Sequence, residues 1–128
     1  MLHVPGIYIT HSEGKGRGVF TSRALQKGDL IELCPVIIIP PKQRKLIDET
    51  ILYDYYFVSP KPNSQICIVL GYGSIYNHSY QPNAKIVFDL DNQRVEFHCI
   101  RDIDSGEEIF YDYSGGMKDA PELWFEMV

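Results

Sequence analysis

A chain of 128 residues, 45% apolar and 23% charged, is long enough to bury a core and too apolar to be disordered. Its formal net charge of -5 lacks the concentrated positive charge that nucleic-acid backbones demand and suits a basic peptide or protein as partner. The three cysteines, Cys34, Cys67 and Cys99, are dispersed in apolar runs with no CxxC pair, which argues against a structural zinc site and for a reducing compartment.

The N-terminal MLHVPGIYIT has no basic stretch leading into an apolar one and does not read as a secretory signal. No window reaches the roughly 18 apolar residues of a membrane span. The sequence therefore reads as a soluble, intracellular protein, cytoplasmic or nuclear. Ile7 to Thr10 is predicted as a first strand and Val19 to Thr21 as the start of a second, with the glycine-rich SEGKGRG between them. QKGD, Gln26 to Asp29, is a turn with glycine where positive φ is tolerated. ELCPVIIIPP follows, four β-branched residues in a row ending at two prolines that cannot extend a ladder.

KQRKLIDETILYD, Lys42 to Asp54, reads as a short helix with Leu46, Ile47, Ile51 and Leu52 on a loosely apolar face; an ordered surface loop is the alternative. Beyond Pro60 and Pro62, Gln65 to Leu70 returns to β character. KIVFD and RVEFHCI flank LDNQ as a hairpin, with Val87, Val95 and Phe97 expected on one face. SGEE, Ser105 to Glu108, turns the chain into IFYDY, and PELWFEMV, Pro121 to Val128, reads as a short amphipathic helix with proline in its first turn. With no internal repeat and no linker, residues 1–128 read as one mainly β domain with short helices.

Three segments stand apart from the strands: GKGRGVF at 14–20, GYGSIYNHSYQPNA at 71–84 and GEEIFYDYSGG at 106–116. Each alone has an ordinary explanation. Gly14, Gly16 and Gly18 suit a flexible turn, and no lysine-serine or lysine-threonine pair follows at the spacing of a phosphate loop. Asn77 and His78 suit a turn with a satisfied polar pair, and Tyr111 and Tyr113, two apart, suit core packing on one strand face. His3, His11, His78 and His98 show no recurring ligand spacing, so no metal is expected.

Together and in this order the segments resemble the motifs of the SET-domain protein-lysine methyltransferases. The middle motif, GxGxxxxNHS followed by PN, is present as Gly71, Gly73, Asn77, His78, Ser79, Pro82 and Asn83; the C-terminal one, GEEIxxxY, as Gly106, Glu107, Glu108, Ile109 and Tyr113; the N-terminal GxGVF as Gly16 to Phe20. The resemblance spans roughly residues 4 to 115 and leaves 116–128 as a tail. It implies a mainly β fold of several small curved sheets around a knot-like C-terminal threading. It also implies S-adenosylmethionine as cofactor and a lysine-bearing, basic protein or peptide as substrate.

Carried over by residue, the resemblance places Asn77 and His78 against the cofactor. Gly16 and Gly18 would let the backbone approach it, with Lys15 and Arg17 flanking. Tyr113 matches the active-site tyrosine and Tyr55 a second channel tyrosine. Tyr111 stands where phenylalanine or tyrosine tunes the number of methyl groups, and a bias toward monomethylation is expected, which product mass spectrometry of Tyr111→Phe reads out. The chain lacks the cysteine-rich, zinc-binding segments that flank many family members and so resembles the minimal viral and bacterial forms. Trp124 and Phe125 in the tail are then candidates to pack on the cofactor or complete the channel, a plain core-covering helix being the alternative, and the viral homodimer is a candidate assembly. The alternative is a SET-like module without turnover that binds peptides or acts as a scaffold.

Overall fold

The computed structural model describes residues 3–113. β1 (Ile7–Ser12) and β2 (Gly16–Thr21) form an antiparallel hairpin in register from Ile7 opposite Thr21 to Ser12 opposite Gly16. Its turn is tight: Gly14 takes φ +75° and the Lys15 N–H bonds Ser12 O at 3.0 Å. The second strand therefore begins at Gly16, three residues before the sequence placed it, and Gly16 and Gly18 are strand residues rather than parts of a flexible turn.

β3 (Leu30–Ile39) ends just before Pro40, as its sequence predicts, and changes partner halfway. Its first half pairs with β8 (Arg94–Cys99) and its second half with β5 (Ile66–Val69), and Pro35 sits at the change. A residue without an N–H is tolerated there because the ladder is interrupted anyway; the Pro35 carbonyl still accepts the Leu70 N–H at 2.9 Å. β4 (Phe57–Val58) and β7 (Ala84–Asp89) close a five-stranded sheet in the order β4-β5-β3-β8-β7.

The hairpin of β7 and β8 turns through Leu90–Asn92, with Gln93 left-handed at φ 53°. Its register sets Ile86 opposite Phe97, Phe88 opposite Val95 and Val87 opposite Glu96. Directly opposed residues share a face, which corrects the expectation for Val87. Val95 and Phe97 are fully buried, whereas Val87 is 36% exposed on the other side.

Lys42 to Asp54 is not one helix. It breaks into a 3-10 turn at Pro41–Gln43, α1 (Arg44–Asp48) and a second 3-10 turn at Ile51–Asp54, none of which buries a residue. Without a packed apolar face nothing holds a longer helix together. Thr50 is extended, and its hydroxyl accepts the Leu52 N–H at 3.1 Å to restart the chain. The buried Tyr56 fastens this excursion, donating its hydroxyl to Asp48 at 2.8 Å; burial first, then that bond, pushes its pKa up to about 12.

The core runs from Val19 and Ile31 through Val95 and Phe97 to Ile103, Ile109 and Tyr111. All three cysteines are buried and free, and burial pushes the Cys67 and Cys99 thiols up to about 11, so they pack as inert small side chains. Among the described residues no helix is long and apolar enough to cross a membrane. The helix predicted at Pro121 to Val128, with Trp124 and Phe125, lies outside the described residues.

Candidate active site

Two very short strands bring the motifs together. β6 (Asn77–His78) and β9 (Phe110–Tyr111) pair in parallel, Asn77 with Phe110 and His78 with Tyr111. Side chains reinforce so small a ladder. The amide of the buried Asn83 donates to Glu108 O at 2.8 Å and accepts the Phe110 N–H at 2.8 Å, standing in for a missing strand partner. IFYDY yields only the two strand residues, so Tyr113 lies past the strand end and not on a strand face shared with Tyr111. Their rings still meet, centroids 5.0 Å apart and tilted by 49°.

The Glu108 carboxylate ties three segments into one wall. It accepts the Ser12 hydroxyl from β1 at 2.6 Å and the Asn77 amide from β6 at 2.7 Å. The Asn77 amide also donates to Arg17 O on β2 at 2.9 Å. A Cβ on Gly18 would fall on the Glu108 carboxylate and 2.8 Å from the Asn77 amide nitrogen. Gly18 thus makes room for this pair, while a Cβ on Gly16, at φ +78°, would meet nothing within 4 Å. Both amide hydrogens of Asn77 are committed to protein acceptors, leaving its side-chain carbonyl oxygen for a ligand. The GEE motif pointed to this region without revealing that Glu108 cross-links it.

Beside that wall lies a cavity of about 510 Å³. Of the residues singled out from the sequence, Lys15, Gly16, Arg17, Tyr55, Asn77, His78 and Tyr113 line it. Gly18 lies behind it with Glu108, Tyr111 is 1% exposed and packs among Phe57, Phe97 and Tyr113, and Trp124 lies outside the described residues. Sequence reasoning missed Asp54, Ser74 and Ile75, which also line the cavity. Each adjoins or sits inside a stretch already singled out, and only the fold shows that they turn inward. Lys15 also lies over the Phe110 ring, 5.7 Å from its centroid.

His78 is 2% exposed, and its Nδ1 accepts the Tyr113 N–H at 2.8 Å. That bond places the ring proton on Nε2, so the 3.7 Å approach of Asp112 to Nδ1 is not an ion pair in this tautomer. Nε2 is buried without a hydrogen-bond partner among the described residues. Burial holds the His78 pKa below its ordinary 6.5; Asp112 opposes the shift and Lys15 adds to it. A histidine that resists protonation when folded but accepts it when unfolded contributes stability above its unfolded pKa, lost as pH falls below it. The thermal midpoint is therefore expected to drop between about pH 7 and about pH 5, with a smaller drop in His78→Gln. Equal drops would remove His78 as the source.

Tyr113 donates its hydroxyl to Tyr76 O at 3.0 Å and sets its ring 4.9 Å from His78. Burial first, then Glu108 and Tyr55, hold its phenol well above the ordinary tyrosine range. It is a neutral hydroxyl at physiological pH that donates to Tyr76 O. Among the described residues no group of three or more histidine, cysteine, aspartate or glutamate side chains is placed to hold a metal ion.

The chain belongs to the SET-domain family, whose model matches residues 16–114. It is 29% identical over 119 residues to a histone-lysine N-methyltransferase of Schizosaccharomyces pombe, H3 lysine-37 specific, covering 92% of this chain and 76% of that one. It is 29% identical over 140 residues to the N-lysine methyltransferase KMT5A-A of Danio rerio, covering 91% of this chain and only 38% of the relative. Among solved structures, a Plasmodium falciparum protein proposed to be a histone methyltransferase superposes with TM-score 0.67 at 31% identity, covering 84% of this chain and 92% of that one.

Proposed function

We propose that this chain is an S-adenosylmethionine-dependent protein-lysine N-methyltransferase. The observation that carries the reading is the convergence of the Lys15–Arg17 segment, the Asn77-His78 pair, Tyr55 and Tyr113 on one cavity. Its volume of about 510 Å³ falls within the usual range for small-molecule sites. The residues present fit the cofactor. Gly16 leaves an open cradle where a Cβ would project, Lys15 and Arg17 supply positive charge for a carboxylate, and the Asn77 carbonyl is an available acceptor. When bound, S-adenosylmethionine supplies a methyl group on an electron-poor sulfonium.

The protein's part is to present a neutral lysine amine in line and without water. A lysine has a free pKa of about 10.4, and an apolar, aromatic surround favours its uncharged form. Tyr55 and Tyr113 supply such walls, with the Tyr113 oxygen able to accept an amine N–H and orient the lone pair. Because the Tyr113 phenol is held protonated, it positions the amine rather than acting as base. Tyr111 is not among the residues that line the cavity but meets the Tyr113 ring, so its proposed influence on product state is exerted through that ring.

A basic protein substrate suits the net charge of -5, and histones, named in the relatives' descriptions, are the first substrates to test. The unpaired cysteines favour an intracellular setting, and reading the chain as one domain, with a homodimer as candidate assembly, belongs to the same proposal. Calorimetric titration of S-adenosylmethionine is expected to show micromolar binding that Asn77→Ala weakens by about tenfold or more, as Glu108 and the Arg17 carbonyl lose their shared donor. Folded wild type that takes up no cofactor would turn the reading toward a peptide-binding module.

A further inference from the structure

Glu32, on β3, is 2% exposed, and no ion pair to it occurs among the described residues. Burying a carboxyl group without a cation is unfavourable unless hydrogen bonds satisfy it. Two do. Oε1 accepts the Tyr76 hydroxyl at 2.8 Å and Oε2 accepts the Tyr72 N–H at 2.9 Å, both from a segment some forty residues away in sequence. The backbone is shaped around this group. Gly71 takes φ +65°, and a Cβ there would fall on Glu32 Oε2. The Cys34 thiol beside Glu32 is held protonated, by burial first and by Glu32 next.

The clamped segment carries the site. Ser74 and Ile75 line the cavity, and Tyr76 O is the acceptor that anchors the Tyr113 hydroxyl. One carboxyl group therefore holds the Tyr76 side chain while that residue's main chain holds Tyr113. The Tyr76 ring is fixed independently, stacked on Phe97 at 4.2 Å, so its hydroxyl is not needed merely to fill the core. We infer that Glu32 is a positioning residue for Tyr113, acting through Tyr76 and the 71–76 loop. The inference rests on the methyltransferase reading for its functional consequence and on geometry alone for the linkage.

The test uses tyrosines labelled with carbon-13 at Cζ, the Tyr113 resonance being assigned from Tyr113→Phe. Tyr76→Phe keeps the stacked ring and removes only the hydroxyl; Glu32→Gln keeps the shape but cannot accept from both donors. Both are expected to move the Tyr113 resonance and leave that of Tyr8, whose ring stacks on Phe20, in place. In turnover, kcat falls about tenfold or more while the peptide KM and cofactor Kd stay within about threefold. Should Glu32→Gln fail to fold, Tyr76→Phe decides. An unmoved Tyr113 resonance in folded Tyr76→Phe overturns the inference, whatever happens to kcat. If wild type transfers no methyl group, the methyltransferase reading falls, and the resonance still decides the linkage.

Discussion

Tyr113→Phe is expected to lower kcat for methyl transfer by about 10²-fold while leaving S-adenosylmethionine binding within about threefold. The phenylalanine keeps the ring between His78 and Tyr111, whose centroids lie 4.9 Å and 5.0 Å away, so the apolar wall survives. What it loses is the oxygen. The 3.0 Å bond to Tyr76 O no longer fixes the ring, and the acceptor that would orient the amine is gone. Neither loss touches Lys15, Gly16 or the Asn77 carbonyl, which is why the effect falls on turnover. Stability is expected to fall by only about 1 kcal/mol, the net worth of one hydrogen bond. Calorimetry together with steady-state kinetics separates the two quantities, and an unchanged kcat would remove Tyr113 from the reaction.

The second large effect is expected at Gly18. An alanine there places its Cβ on the Glu108 carboxylate and 2.8 Å from the Asn77 amide nitrogen. A carboxylate at the end of a side chain can often swing aside, but this one is held by Ser12 at 2.6 Å and Asn77 at 2.7 Å. Moving it sacrifices hydrogen bonds worth about 1.5–3 kcal/mol each when one partner is charged. Gly18→Ala is therefore expected to destabilise the protein by about 3 kcal/mol and to weaken cofactor binding with it. Gly16→Ala is the contrast. With open space around its Cβ, its penalty is the φ of +78° alone, about 1 kcal/mol. Denaturant unfolding of both variants checks the order, and an equal loss would mean that Glu108 relaxes freely.

Strands and turns with local signals were legible: the end of β3 before Pro40 and the hairpin of β7 and β8 follow from residue chemistry within a few positions, whereas the glycine-rich stretch narrowed to a turn at Gly14 with Gly16 and Gly18 in the strand. The face of Val87 was not, because alternation permits two assignments and only the pairing of Ile86 with Phe97 selects one. The break in the 42–54 segment depends on what the fold leaves unburied around Leu46 and Ile51, 65% and 74% exposed, which helix propensity does not report. At the site, the motifs marked Asn77, His78, Glu108 and Tyr113, but the cross-links made by the carboxylates of Glu108 and Glu32 could not be read from them. Glu108 reaches Ser12 across 96 residues and Glu32 reaches Tyr76 across 44, and no local pattern encodes contacts at that separation.

The proposed methyl transfer to lysine at the cavity between Gly16, Asn77 and Tyr113 has a direct assay. It is tested most directly by incubating the purified protein with isotope-labelled S-adenosylmethionine and core histones, then mapping the label by mass spectrometry. Label is expected on a lysine side chain, dependent on time and enzyme and reduced about 10²-fold with Tyr113→Phe. Cofactor bound in the cavity with no label on any lysine, from histones or from a wider set of basic proteins, would contradict the proposal.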